Sequence, residues 1–221
     1  MNIVIACSKN WFTVPDALKR NHSVLVIKDR DLLTLERMQD VCPDVIFFPH
    51  WNWVVPTEIH EAFTCIVFHT APLPYGRGGS PIQNLILNGV KRAPVCALRM
   101  SDQLDAGPIY SRKYVDLHGR LSEIFSGINV AIGELMEELV VCMPDPKDQE
   151  GEVYYFSRRK EEDNRIPEGV SASDIYDRIR MLDDPDYPNS YILFGSLKIE
   201  FFNSFVEDGA ITAQCRITEC K

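Results

Sequence analysis

Residues 23–49 read SVLVIKDRDLLTLERMQDVCPDVIFFP. A short β-branched apolar run (23–29) leads into a stretch with helical spacing (32–41), and then into DVIFFP (44–49), which is apolar without polar alternation. Unbroken apolar runs of that length suit strands buried on both faces, as in parallel sheets whose crossovers are helices. The pattern extends outward on both sides. NIVIAC (2–7) reads as a strand followed by a helix ending near Arg20. A short helix near 56–63 leads into TCIVFH (64–69), a further strand, and a helix covers 80–87. Alternating strands and helices predict an α/β fold with a Rossmann-like, mostly parallel sheet and helices on both faces.

Farther along, PIYSRKYVDL (108–117) alternates like an edge strand. The segment 121–141 places Leu121, Ile124, Phe125, Ile128, Ile132, Leu135, Met136 and Leu139 at helical spacing, an apolar stripe that packs on a sheet. Composition shifts at MPDPKDQEGEV (143–153), a linker. Residues 1–145 are therefore expected to form the core, and 146–221 a small α+β appendage. That appendage reads as a polar arm (157–169), a helix (171–182) capped by Ser171 or Ser173, and strands SYILFG, LKIEFF and ITAQCRI.

The formal net charge of -9 disfavours a polyanionic partner, because phosphate binding draws on Lys and Arg. The seven cysteines form no CxxC pair and no zinc-ligand rhythm, so reduced thiols and no metal are expected. The opening MNIVIACSKN lacks a signal-peptide pattern, and no apolar stretch approaches the roughly 18 residues that a bilayer requires. A cytoplasmic setting without membrane contact is the expectation.

Ligands of open α/β sheets bind beyond the carboxyl ends of strands. The third strand runs into HWNWVVP (50–56), the fourth into HTAPLPYGRGGSP (69–81), and VCALRM (95–100) into SDQLDAGP (101–108). These three loops are expected to share one crevice. His69 would sit partly desolvated at its mouth, or simply bond a turn; Asp105 lies in the tight turn LDAG, or simply caps it. Together, a histidine held by a carboxylate makes a base able to take a proton from an attacking nucleophile. In YGRGGSP, Ser80 is an expected N-cap and Pro81 an expected first helical residue; with Arg77 nearby, this helix start is an anion-site candidate.

The run FHTAPLPYGRGGSPIQNLILNG (68–89), followed by LDAGPI (104–109), resembles the catalytic core of the folate-dependent formyltransferases. That family includes glycinamide ribonucleotide transformylase, methionyl-tRNA formyltransferase and the nucleotide-sugar N-formyltransferases. The resemblance implies N10-formyltetrahydrofolate as donor, with no metal. It also implies a site of Asn-x-His plus a distant Asp, in which His and Asp assist proton movement while Asn and His stabilise the oxyanion. His69 and Asp105 match; the Asn position holds Val67, and Asn52 is the nearest replacement by layout. The folate side is expected to involve Trp51, Asn52, Val54, Met100, Asp102 and Asp105, and the acceptor side Tyr75, Arg77, Gly78 and Ser80.

Three acceptors compete. From residue 151 the chain carries 14 acidic against 9 basic residues, and only a short tail follows the core, so nucleic acid is disfavoured. The arm SRRKEEDNRI (157–166) is unlike the purine enzyme. The loop is most similar to the branch acting on nucleotide-linked amino sugars, including the pathway to pseudaminic-type acids. The C-terminal strands either pair with a second subunit in a homodimer or cover the core. A formyl-folate hydrolase and a ligand-binding regulator without chemistry remain alternatives, the latter because of Val67.

Overall fold

β-branched and aromatic runs become the strands of the computed structural model, which describes residues 1–220. β1 (Asn2–Ala6), β2 (Ser23–Ile27), β3 (Val45–Phe48), β4 (Cys65–Thr70), β6 (Arg92–Arg99) and β7 (Ile109–Asp116) form one six-stranded sheet in the order β2-β1-β3-β4-β6-β7. β1 is parallel to β2 and β3, and β3 is parallel to β4. All four residues of β3 are buried, as its unbroken apolar sequence requires of a central strand. The remaining strands are β5 (Tyr75–Gly78) paired with β8 (Tyr154–Phe156), and an antiparallel sheet of β9 (Ser190–Phe194), β10 (Leu197–Glu207) and β11 (Ala210–Glu219).

The helices are α1 (Asp16–Asn21), α2 (Leu35–Val41), α3 (Thr57–Ala62), α4 (Pro81–Leu87), α5 (Leu121–Val141) and α6 (Ala172–Arg180). α2 begins later than its periodicity predicts because the Thr34 side chain accepts from Arg37 N and caps it there; a separate 3-10 turn occupies Arg30–Leu32. α6 starts at Ser171 in a reciprocal capping box with Asp174. The whole stripe of α5 predicted from sequence is buried. Ser80 departs from expectation. It lies in the left-handed region at φ 49° and caps nothing with its side chain, because its hydroxyl accepts the Arg159 backbone N–H at 3.1 Å.

The chain divides into two compact units, each discontinuous in sequence: residues 1–77, 94–115 and 128–154, and residues 78–93, 116–127 and 155 onward. The first holds the parallel strands and an apolar cluster of Val4, Ala6, Ile27, Met38, Ile46, Phe48, Ile59 and Cys65 with their neighbours. The second holds the antiparallel β9–β11 sheet and α6. Among the described residues no helix is long and apolar enough to cross a membrane.

Candidate functional site

Side chains alternate along β4, so Cys65, Val67 and His69 share one face. Cys65 belongs to the apolar cluster, and Val67 packs against it together with Trp51 and Met100. His69 follows two residues on, with its side chain only 8% exposed. Its Nε2 lies 2.7 Å from the carbonyl oxygen of Gly76. A carbonyl can only accept, so Nε2 bears the hydrogen and donates it. Nδ1 is then the nitrogen left to face Asp105, whose Oδ2 lies 3.4 Å away and whose side chain is 10% exposed. With Nε2 committed, a proton lying between Nδ1 and Oδ2 joins the two groups, and its absence sets a lone pair against a carboxylate. The geometry thus sets His69 Nδ1 and the Asp105 carboxylate face to face in a largely buried place.

Asp105 does not reach His69 in the manner its sequence suggests. β6 is antiparallel to β4, with His69 beside Cys96 and Ile66 beside Arg99. The loop after β6 therefore leaves at the amino end of β4, where Met100 N donates to Cys65 O at 2.9 Å. The expectation of three loops at one set of strand ends is corrected for this loop: it brings Asp105 to His69 by turning back toward the face that Val67 and His69 share. Two features make the turn. Asp105 adopts φ 52°, a left-handed conformation that Asp tolerates better than most residues. Gly107 lies so close to β6 that an added Cβ would stand 1.7 Å from Arg99 O. The Gln149 amide closes it from outside, Nε2 donating to Asp105 O at 2.8 Å and to Gly107 O at 2.9 Å.

Arg77, expected at the acceptor side as an anion clamp, is buried at 7% exposure. Its Nε and Nη2 donate to Gln149 Oε1 at 3.0 and 2.8 Å, so this guanidinium is turned inward rather than presented to solvent. The other residues expected there also make close internal contacts. Tyr75 stacks on Tyr154 at 5.2 Å, and a Cβ at Gly78 would meet Phe156 O at 2.7 Å. Pairing of β5 with β8 produces these contacts. Sequence reading missed it because a glycine-rich run looks like a turn and YYF sits in polar surroundings.

The loop after β3 lies at the same end of the sheet as His69, since Phe48 pairs with Val67 in parallel register. Trp51 stands edge-on to Trp53 at 4.8 Å, and its indole N–H is buried without an acceptor among the described residues. An unpaired buried donor on an apolar wall suits a flat heteroaromatic ligand that brings an acceptor. Asn52 and Val54 are exposed. Asp102 is an exposed carboxylate 3.4 Å from His60 Nε2.

Sequence reading passed over His50, which starts this loop at φ 51° with its ring 4.7 Å from that of Trp11 and Nε2 2.9 Å from Asn129 Oδ1. Burial pushes its pKa down to about 4, with Lys9 adding to the effect and the Asn129 bond opposing it. The folded protein then keeps His50 neutral while the unfolded chain protonates it near 6.5. Its contribution to stability is complete above 6.5 and is lost as pH falls toward 4. Urea unfolding is expected to show about 2 kcal/mol lost at most between pH 6.5 and 5 through this group. His50→Gln should remove that part of the slope; an unaltered slope would mean that the ring is charged in the fold.

Comparison with known proteins decides the family. The formyl transferase family model matches residues 20–123, and that of the methionyl-tRNA formyltransferase C-terminal domain matches residues 161–218. A methionyl-tRNA formyltransferase structure from Clostridium thermocellum is 40% identical, covers 99% of each chain and superposes with a TM-score of 0.95. This chain belongs to the formyl transferase family. Among curated formyltransferases, the methionyl-tRNA formyltransferase of Campylobacter lari is 32% identical over 156 residues, which is 69% of this chain and 50% of that protein. The chain spans about half the length of the curated relatives it matches. The fold extends to HypX from Aquifex aeolicus, whose structure in complex with tetrahydrofolic acid gives a TM-score of 0.77 at 20% identity, covering 94% of this chain and 38% of that one.

Proposed function

We propose that this formyl transferase moves a formyl group from N10-formyltetrahydrofolate to the amino group of a nucleotide-linked amino sugar. The observation that carries the chemistry is the buried His69–Asp105 pair, with Nδ1 and Oδ2 3.4 Å apart and Nε2 tied to Gly76 O. An attacking amine must shed a proton and the departing N10 of the folate must gain one; this pair, with its Nδ1–Oδ2 site empty at the start, takes up the first and returns it to the second out of bulk water. Bound folate supplies the formyl carbon. Trp51, Asn52, Val54 and Met100 are the residues proposed to hold it, the unpaired Trp51 indole N–H donating to the ligand.

A sugar nucleotide is favoured over nucleic acid by charge: 14 acidic against 9 basic residues from 151 onward would repel a long phosphate chain. A second reading, methionyl-tRNA as acceptor, is favoured by the name of the Clostridium thermocellum protein, 40% identical over 99% of each chain. The test offers formyl donor with amino-sugar nucleotides, glycinamide ribonucleotide or charged methionyl-tRNA, following free tetrahydrofolate and acceptor mass. Turnover dependent on a sugar nucleotide supports the first reading. Turnover dependent on tRNA replaces it with the second, and turnover without any acceptor makes the protein a hydrolase.

Val67 offers no side-chain donor where the family resemblance calls for an Asn, and its place against the apolar cluster explains an aliphatic residue there. We assign the missing hydrogen bond to the Asn52 amide, which is exposed at the same end of the sheet as His69. Asn52→Ala is expected to lower kcat about ten- to a thousandfold, a larger effect than any rise in the KM for folate. A kcat indistinguishable from the parent would remove Asn52 from the site.

A further inference from the structure

We propose that Gln149, oriented by Arg77, is a positioning residue that sets the distance between Asp105 and His69. The proposal rests on the reading of that pair as the proton-carrying centre. An amide has two unlike ends, and here both are fully committed. Gln149 Oε1 accepts two guanidinium N–H groups of Arg77, at 3.0 and 2.8 Å. That fixes which end is oxygen and turns the NH₂ group toward the Asp105 turn, where its two hydrogens meet Asp105 O at 2.8 Å and Gly107 O at 2.9 Å.

One NH₂ group bonded to both carbonyls holds the backbone on either side of Ala106 at a set spacing. Asp105 occupies φ 52°, so the aim of its carboxylate depends on that backbone staying in place. The anchor is itself fixed from two directions. Lys147 exchanges two backbone hydrogen bonds with Ile109, at 2.7 and 2.9 Å, seating the strand of chain that carries Gln149 beside β7. Arg77 follows Gly76, whose carbonyl holds His69 Nε2. The same short segment thus orients His69 directly and Asp105 through Gln149. A charge of either sign at 149 would break the arrangement: a carboxylate has no hydrogens for the two carbonyls, and an ammonium cannot accept from Arg77.

Gln149→Glu tests this at constant shape. It keeps a partner for Arg77 and removes both donors to the turn. The full-length variant is expected to unfold within about 3 °C of the parent, with kcat about thirtyfold lower and both KM values within about threefold. The second readout needs no turnover: the side-chain ¹⁵N signals of His69, followed across pH, should titrate differently in Gln149→Glu because Asp105 has moved. Gln149→Ala should move them the same way. An unchanged His69 titration in both variants, measured where both are folded, overturns the proposal, as does a kcat within twofold of the parent. Should the parent transfer no formyl group to any acceptor, the functional reading fails, while the His69 titration still decides whether Gln149 positions Asp105.

Discussion

His69→Asn and Asp105→Asn are each expected to lower kcat at least about a hundredfold while leaving the protein folded. The two substitutions remove the same proton site from opposite sides. At 69, an asparagine carries no ring nitrogen to face Asp105 Oδ2, so nothing remains to share a proton across the 3.4 Å gap. At 105, the amide is nearly isosteric with the carboxyl group, but it neither binds nor releases a proton near neutral pH. Asparagine tolerates the left-handed region at least as readily as aspartate, so φ 52° is preserved and a loss of rate cannot be blamed on the backbone. The losses should not add in the double variant, because each alone dissolves the pair. Single-turnover rates with saturating donor, beside calorimetric unfolding, measure both effects. Near-normal turnover in either variant would move the proton chemistry to another residue.

The parallel half of the fold was legible because its strands are short, apolar and buried on both faces, leaving a strong signal in VIFF and IVIA. The α5 stripe was legible through its period. Pairing direction was not: VCALRM reads as a buried strand either way, and nothing local marks β6 as antiparallel to β4. This matters because it changes how Asp105 arrives at His69, by a loop turning back rather than by a shared strand end. The approach of His69 and Asp105 was readable from residue types, whereas its supports were not. Gly76 acts through a backbone carbonyl and Gln149 lies in a stretch whose composition says only linker. For Arg77 the local pattern of glycines and a helix start suggests an anion and gives no sign of its burial against Gln149.

Gly107→Ala is expected to be the most damaging single methyl in the site, lowering kcat about a hundredfold or more and stability by about 1–3 kcal/mol. The added Cβ would stand 1.7 Å from Arg99 O, a backbone atom that cannot swing aside as a side chain can. Nor is the end of β6 free to retreat. Arg99 N donates to Pro108 O and Met100 N to Cys65 O, each at 2.9 Å, so withdrawing Arg99 strains two hydrogen bonds and the join to β4. The turn must yield instead, and Asp105 is two residues away with its peptide tied through Gln149 to Gly107. A shift of about 1.5 Å, enough to restore an ordinary contact, carries the carboxylate out of reach of Nδ1 in a packed site that has no slack. Gly127→Ala provides the opposite sign within the same protein. It lies inside α5, an added Cβ there meets nothing within 4 Å, and helix propensity alone should leave the protein as stable or up to about 1 kcal/mol more stable, with kcat unchanged. Parallel melting and rate measurements on the two alanine variants compare close approach with open space at equal added mass. Full activity in Gly107→Ala would show that the turn can relax without moving Asp105, and that packing against Arg99 does not set its position.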